Sequence, residues 1–124
     1  MSYESCYISP DVDAAIRAAV GIPAHIRIDL HITPEHIPVR GNASAWGEPE
    51  DGELAAAIEN RLADGELWAW CTVRVTCTDG DVEGMAYLGG CSYEDTDDFT
   101  KYARGYLCDL AEEAYDYFQA KVAP

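Results

Sequence analysis

The chain of 124 residues carries 23 acidic and 8 basic side chains, a formal charge of −15, and 48% hydrophobic residues. That hydrophobic content excludes wholesale disorder, and one domain of this length buries about two thirds of the surface its unfolded chain exposes. The charge argues against binding of nucleic acid or anionic membrane through phosphates and points to basic partners, unless it serves only solubility.

The acids are unevenly placed. Residues 1–47 hold five against three bases, and residues 48–124 hold eighteen against five, so the C-terminal part makes the field. Five cysteines, Cys6, Cys71, Cys77, Cys91 and Cys108, are scattered, odd in number and without a CxxC pair. They suggest neither a disulfide framework nor a zinc ribbon and fit a reducing cytoplasm. The opening MSYESCYISP has neither a basic region nor an apolar h-region, and no apolar run reaches membrane-spanning length, so a cytoplasmic protein is expected, neither secreted nor inserted.

In chain order, Ser9-Pro10-Asp11 predicts a helix start. Ser9 can cap, Pro10 stands where a missing N–H costs nothing, and Asp11 and Asp13 lie at the positive end of the dipole. Val12, Ile16, Ala19 and Val20 form its expected buried stripe, and Gly21 and Pro23 end it. From His25 to Ile32 the chain alternates, with Ile26, Ile28, Leu30 and Ile32 on one face and His25, Arg27, Asp29 and His31 on the other; this is a strand with one buried face. Thr33 to Pro49 reads as a long loop in which Trp46 should be anchored. A helix follows from about Glu50 to Ala63, with Leu54, Ala57, Ile58 and Leu62 on one face.

The densest strand signal is Leu67 to Tyr93, read as a central hairpin over 67–92. Leu67, Ala69, Cys71, Val73, Val75 and Cys77 alternate with polar residues and with Trp68 and Trp70. Asp79-Gly80 suits a type I′ loop, which would pair Cys77 with Val82, Val75 with Gly84 and Val73 with Ala86. Trp68, Trp70, Tyr87 and Tyr93 then share the other face, either as a second core layer or as an exposed patch. Gly89-Gly90 is expected to loosen the chain, and Thr96-Asp97-Asp98 to open a short helix that Gly105 interrupts. The last helix is predicted from about Tyr106 to Val122, with Leu107, Leu110, Ala111, Ala114, Phe118 and Val122 inward. The order α-β-α-β-β-α implies an α+β, two-layer single domain spanning 1–124, with a three-stranded antiparallel sheet and helices packed on one face.

On the last helix Asp109, Glu112, Glu113 and Asp116 fall at i, i+3, i+4 and i+7 with no Lys or Arg among them. Carboxylates one turn apart are separated by about 5 to 6 Å, comparable with the phosphates of a nucleic-acid strand, whose axial rise is about 3.4 Å per nucleotide. Such a row can imitate a phosphate track. Glu94, Asp95, Asp97 and Asp98 extend it upstream, and Glu48, Glu50, Asp51 and Glu53 form a third acidic cluster. The same stripe also fits a merely solvated helix face. No EF-hand spacing supports calcium. His25, Asp29 and His31, with Glu35 and His36 nearby, fit a metal or acid/base cluster or simply an exposed strand face. Cys71 and Cys77 read as small core hydrophobes, and Ser92 in GGCSY lacks the pattern of a nucleophile elbow.

The motifs IPVRGN at Ile37–Asn42, LWAWCTVRV at Leu67–Val75, and YLGGCSYEDTDDF at Tyr87–Phe99 followed by Gly105-Tyr106 resemble a family of small acidic proteins encoded by bacteriophages and other mobile elements. The likeness covers roughly residues 37–118 and carries over no catalytic residue. By analogy with other small acidic phage proteins, it implies an antagonist of host defence, anti-CRISPR or anti-restriction, acting as a DNA mimic in the host bacterial cytoplasm. The expectation is therefore a non-enzymatic inhibitor without cofactor or metal. Asp109, Glu112, Glu113, Asp116, Glu94, Asp95, Asp97 and Asp98 would meet a basic nucleic-acid-binding protein surface. Two alternatives are a protein-interaction module using the aromatic hairpin face and the 33–49 loop, and a small metal-dependent enzyme at the histidine face.

Overall fold

The computed structural model describes residues 3–44, 49–101 and 105–122. The predicted anchoring of Trp46 and the position of Glu48 lie outside them. The described elements are β1 (Glu4–Cys6), α1 (Pro10–Val20), β2 (Arg27–Pro34), α2 (Glu50–Ala63), a 3₁₀ turn (Leu67–Ala69), β3 (Cys71–Asp79), β4 (Val82–Cys91), α3 (Thr96–Thr100) and α4 (Tyr106–Val122). The fold is α+β with one antiparallel sheet, and the sheet has four strands in the order β1-β2-β3-β4 rather than the expected three.

The additional strand, β1, pairs Glu4 with Ile32 and Cys6 with Leu30. Three residues are too few to display a period of two. The first predicted strand lies beside the hairpin, with Ile28 opposite Cys77, Leu30 opposite Val75 and Ile32 opposite Val73. These six side chains are all buried and belong to one core with Ile16 of α1 and Leu107, Leu110, Ala111, Ala114 and Phe118 of α4. Full burial of an Ile, Leu or Phe side chain contributes about 1.5–3 kcal/mol, so this cluster dominates the fold.

The hairpin differs from expectation in register. Asp79 pairs with Val82, Cys77 with Gly84, Val75 with Ala86 and Val73 with Leu88, two residues away from the predicted pairing. A two-residue slip keeps every side chain on its face, so alternation alone cannot detect it. The loop is Gly80-Asp81, and Gly80 has φ +60° while no non-glycine residue among those described has positive φ. Positive φ at only the first central residue is the requirement of a type II′ loop, whereas type I′ would have forced Asp79 into it. Gly84 faces α4, where an added Cβ would collide with the Ala114 carbonyl and the Phe118 amide.

Further up β4, Gly89-Gly90 does not loosen the chain. The ladder runs on to Cys91 opposite Cys71, with a register shift between Cys71 and Val73; two residues oppose Thr72 there, a β-bulge. The hairpin also begins later than predicted, because Leu67–Ala69 forms a 3₁₀ turn and the strand starts at Cys71. Trp68 and Trp70 consequently do not join Tyr87 on one face. Trp68, 8% exposed, packs with Tyr93 and Phe99 at centroid distances of 6.1 and 5.3 Å. Trp70, 5% exposed, joins Ile58 and Ala69 in a second cluster, with Val39, Ala43 and Leu62 against it.

The helix boundaries follow the caps. Ser9 Oγ accepts from the Val12 amide at 3.3 Å, and α1 ends at Gly21. Ala19, expected inside, is exposed. In α2 the buried face is Asp51, Ala55 and Ile58, while Leu54 is 47% exposed. Val122, expected inward, is 52% exposed at the end of α4. Helix α3 is capped by Asp95, not Thr96, with Asp95 Oδ1 accepting from the Asp98 amide at 2.8 Å.

Candidate functional site

The helical period of α4 sets the arrangement of its acids. Because Leu107, Leu110, Ala111, Ala114 and Phe118 turn to the core, Asp109, Glu112, Glu113 and Asp116 are left on the outer face, flanked by exposed Tyr106 and Tyr117. None of the four carboxylates is in an ion pair among the described residues. The described cations are engaged elsewhere. Arg17 pairs with Asp13 at 2.7 Å, Arg27 with Asp29 at 2.7 Å, Arg40 with Glu59 at 2.7 Å, Arg61 with Glu66 at 3.1 Å and Lys101 with Asp98 at 2.7 Å. Lys121 donates to the Glu83 carbonyl at 2.6 Å, and the Arg74 guanidinium lies 4.0 Å over the Tyr3 ring.

The upstream acids divide into two kinds. Glu94, Asp95 and Asp97 are exposed. Asp98 is half-buried and committed to the fold. Its carboxylate binds Lys101 and accepts from the Glu94 amide at 3.0 Å, and these contacts, Lys101 foremost, hold its pKa below the usual value. Arg61 fixes the segment to α2 by donating to the carbonyls of Tyr93 at 2.7 Å and Glu94 at 3.3 Å. Phe99 of α3 and Leu107 of α4 enter the same core cluster, so both acidic segments are anchored in one core.

Asp51 of the third acidic cluster is not a surface acid at all. It is 3% exposed, and its carboxylate accepts from the amides of Gly41 at 2.7 Å, Ala43 at 2.9 Å and Ser44 at 3.2 Å. Those bonds, with Gly41 the strongest contributor, hold its pKa low. The IPVRGN segment is thereby pinned to α2. Trp70 Nε1 adds a bond to the Ile37 carbonyl at 2.7 Å, and Asn42 Nδ2 one to the Pro38 carbonyl at 2.8 Å.

Glu35 has a comparable task. Its carboxylate accepts from the Gly90 amide in the bulge and from the His36 amide at 2.8 Å. Burial opposes its ionisation, but the Gly90, Ile37 and His36 amides and the Thr72 hydroxyl outweigh burial and lower its pKa. The three quoted motifs thus meet around Trp70, lining a cavity of about 280 Å³ with Asn42, Gly89, Gly90, Ser92 and Tyr106.

The histidine face does not assemble. Exposed His25 lies 3.9 Å from Asp79, Asp29 pairs with Arg27, Glu35 turns to Gly90 and His36 is exposed. Only His31 is half-buried, and burial, aided by Arg74, lowers its pKa. Among the described residues no three His, Cys, Asp or Glu side chains are placed to hold one metal ion. Burial pushes the thiols of Cys71 up to about 12 and of Cys77 and Cys91 up to about 11, so they stay protonated and unreactive. No described helix is long and apolar enough to cross a membrane. Comparison with family models, with curated proteins and with solved structures gives no match to any of them.

Proposed function

We propose that this protein is a non-enzymatic inhibitor encoded by a phage or other mobile element, which places the outer face of α4 on a basic nucleic-acid-binding surface of a host defence complex. A CRISPR–Cas effector is the first such partner and a restriction enzyme the second. One observation carries the reading: four carboxylates stand in a row on the outer face of α4 with no cation among them, although seven described cations find partners elsewhere. Like charges at i,i+3 and i,i+4 oppose the helix, and a basic partner relieves that opposition. Exposed Glu94, Asp95 and Asp97 extend the track, while Asp98 positions it. In this reading the domain has two layers, with the helices on one face of the sheet, so the acids point away from the sheet into solvent. The reading places the protein in the host cytoplasm and requires no cofactor. Steering by the field makes association fast and salt-sensitive.

The test is capture from a bacterial lysate at low and high salt, with the native protein and with a variant carrying Asp109→Lys, Glu112→Lys, Glu113→Lys and Asp116→Lys. The native chain captures basic nucleic-acid-binding proteins at low salt and releases them at high salt, and the variant captures none. Undiminished capture by the variant removes α4 from the interface. Failure of the native chain to capture any basic protein at low salt ends the proposal.

A further inference from the structure

β4 is the outermost strand of the sheet, and among the described residues no strand pairs with its far side. Which of its backbone groups face that side follows from the hairpin. Asp79 and Val82 flank a two-residue loop and so exchange both of their backbone hydrogen bonds. Alternation from there turns the N–H and C=O of Val82, Gly84, Ala86 and Leu88 to β3 and those of Glu83, Met85 and Tyr87 outward. Lys121 bears this out by donating to the Glu83 carbonyl at 2.6 Å from α4. The outward groups of Met85 and Tyr87 have no such partner among the described residues.

Natural sheets blunt an edge with a very short strand, charged side chains, proline or a bulge. The opposite edge follows that rule, since β1 has three residues. β4 has ten. Its bulge lies at Gly89-Gly90 and its one charged side chain is Glu83, so the stretch from Gly84 to Leu88 between them is unguarded. Tyr87 is exposed there, its hydroxyl 3.2 Å from Met85 Sδ, and the two side chains offer apolar surface along the edge.

We propose that the free edge of β4 is a second interaction surface, and that it takes an extended, lysine- or arginine-bearing segment of a partner protein as a fifth strand. In such pairing the main-chain bonds supply affinity and alternate side chains supply specificity. Charge selects the occupant. A second copy would bring a further −15 to the same edge and is repelled, whereas a basic segment is drawn in. Asp81 and Glu83 stand at the loop end of the strand, and α4, which lies over β4, carries Asp109, Glu112, Glu113 and Asp116. The nearest cations, Arg74 and Lys121, are already engaged on the Tyr3 ring and the Glu83 carbonyl. This surface goes beyond the reading of α4 and requires no nucleic-acid-binding partner.

The test titrates the full chain with a blocked peptide of alternating lysine and valine, and with its glutamate–valine counterpart, following the backbone amides by NMR. The lysine peptide gives saturable shifts at Glu83, Met85 and Tyr87 and slows hydrogen exchange there, and the glutamate peptide binds about tenfold more weakly or not at all. Tyr87→Pro is the decisive variant. Proline removes only the outward N–H, so the bonds to β3 and the unfolding midpoint are kept, while its ring blocks the added strand and binding falls about tenfold or more. Should that variant not fold, hydrogen exchange in the native chain decides: protection at Glu83, Met85 and Tyr87 on saturation sustains the proposal, and protection elsewhere overturns it. It is also overturned if the lysine peptide gives no saturable shift on β4, if the two peptides bind alike, or if Tyr87→Pro binds as the native chain does. Protection of these amides without peptide, in a chain that sediments as a dimer, would make a second copy the occupant and overturn it as well.

Discussion

Gly84 of β4 lies directly beneath Ala114 of α4, whose carbonyl oxygen, with the Phe118 amide, occupies the space that a Cβ on Gly84 would need. The contact is with helix backbone, which cannot rotate away as a side chain can, so the helix sits as close to the sheet as it does only because residue 84 is glycine. It also accounts for the register of the hairpin: Gly84 must stand opposite Cys77, under the middle of α4, and Val75 must meet Ala86. Gly84→Ala should therefore overpack the core and destabilise the fold by about 3 kcal/mol. Urea unfolding measures this as a lower midpoint at unchanged slope. A loss below about 0.5 kcal/mol, the level of an ordinary surface change, would mean that α4 shifts outward at no cost.

The Asp51 carboxylate makes a pH-dependent prediction. Three backbone N–H groups, those of Gly41, Ala43 and Ser44, converge on it. They lower its folded pKa below the ordinary 3.8, the Gly41 bond most of all. A carboxyl with a depressed folded pKa stabilises fully above its unfolded value and loses that contribution as the pH falls through the folded one. Asp51→Asn puts an amide N–H₂ among three N–H donors and removes the charge, so it should destabilise the protein at neutral pH. The difference from the native chain should shrink as the pH drops below 3.8. Denaturant midpoints of both proteins across the acid range check this, and a constant difference would assign the effect to shape and not to ionisation.

What the sequence revealed and what it concealed divide along physical lines. The limits of α1, α2 and α4 were legible because caps, glycines and a period of 3.6 are local signals: Ser9 caps and Gly21 ends α1 as expected. The faces of the strands were legible for the same reason, since Ile28, Leu30, Ile32, Val73, Val75 and Cys77 are all buried. Their partners were not. Alternation fixes which way a residue points but leaves registers two apart equivalent, and the turn at Gly80 and the approach of α4 to Gly84 separate them. Asp51 misled because a buried acid and a surface acid look alike in a row of carboxylates; its partners in the 41–44 loop lie seven to ten residues upstream and are bound through backbone, which leaves no side-chain trace. His31 and Arg74 come together only through the β2–β3 pairing, which pattern could not decide. The Gly89-Gly90 pair carried a usable signal, since adjacent glycines inside a strand often mark a bulge.

The carboxylates of α4 were the part of the candidate site most fully written in the sequence, and they make the last prediction. Asp109 neighbours both Glu112 and Glu113 on the outer helix face, and Asp116 neighbours the same two residues one turn further on. Each like-charged pair at such spacing costs about 0.2–0.5 kcal/mol at low salt, so the row as a whole weakens the isolated domain by about 1 kcal/mol. Replacing all four with Gln or Asn should therefore raise the unfolding free energy by about that amount in low salt. Added salt screens exposed charges within a Debye length of about 10 Å at 0.1 M, so the gain should fade as ionic strength rises. The same neutralised variant should lose the capture of basic proteins. Stability that rises while binding disappears is the expected mark of residues kept for a partner and not for the fold. Unchanged stability together with unchanged capture would make the row an ordinary solvated helix face.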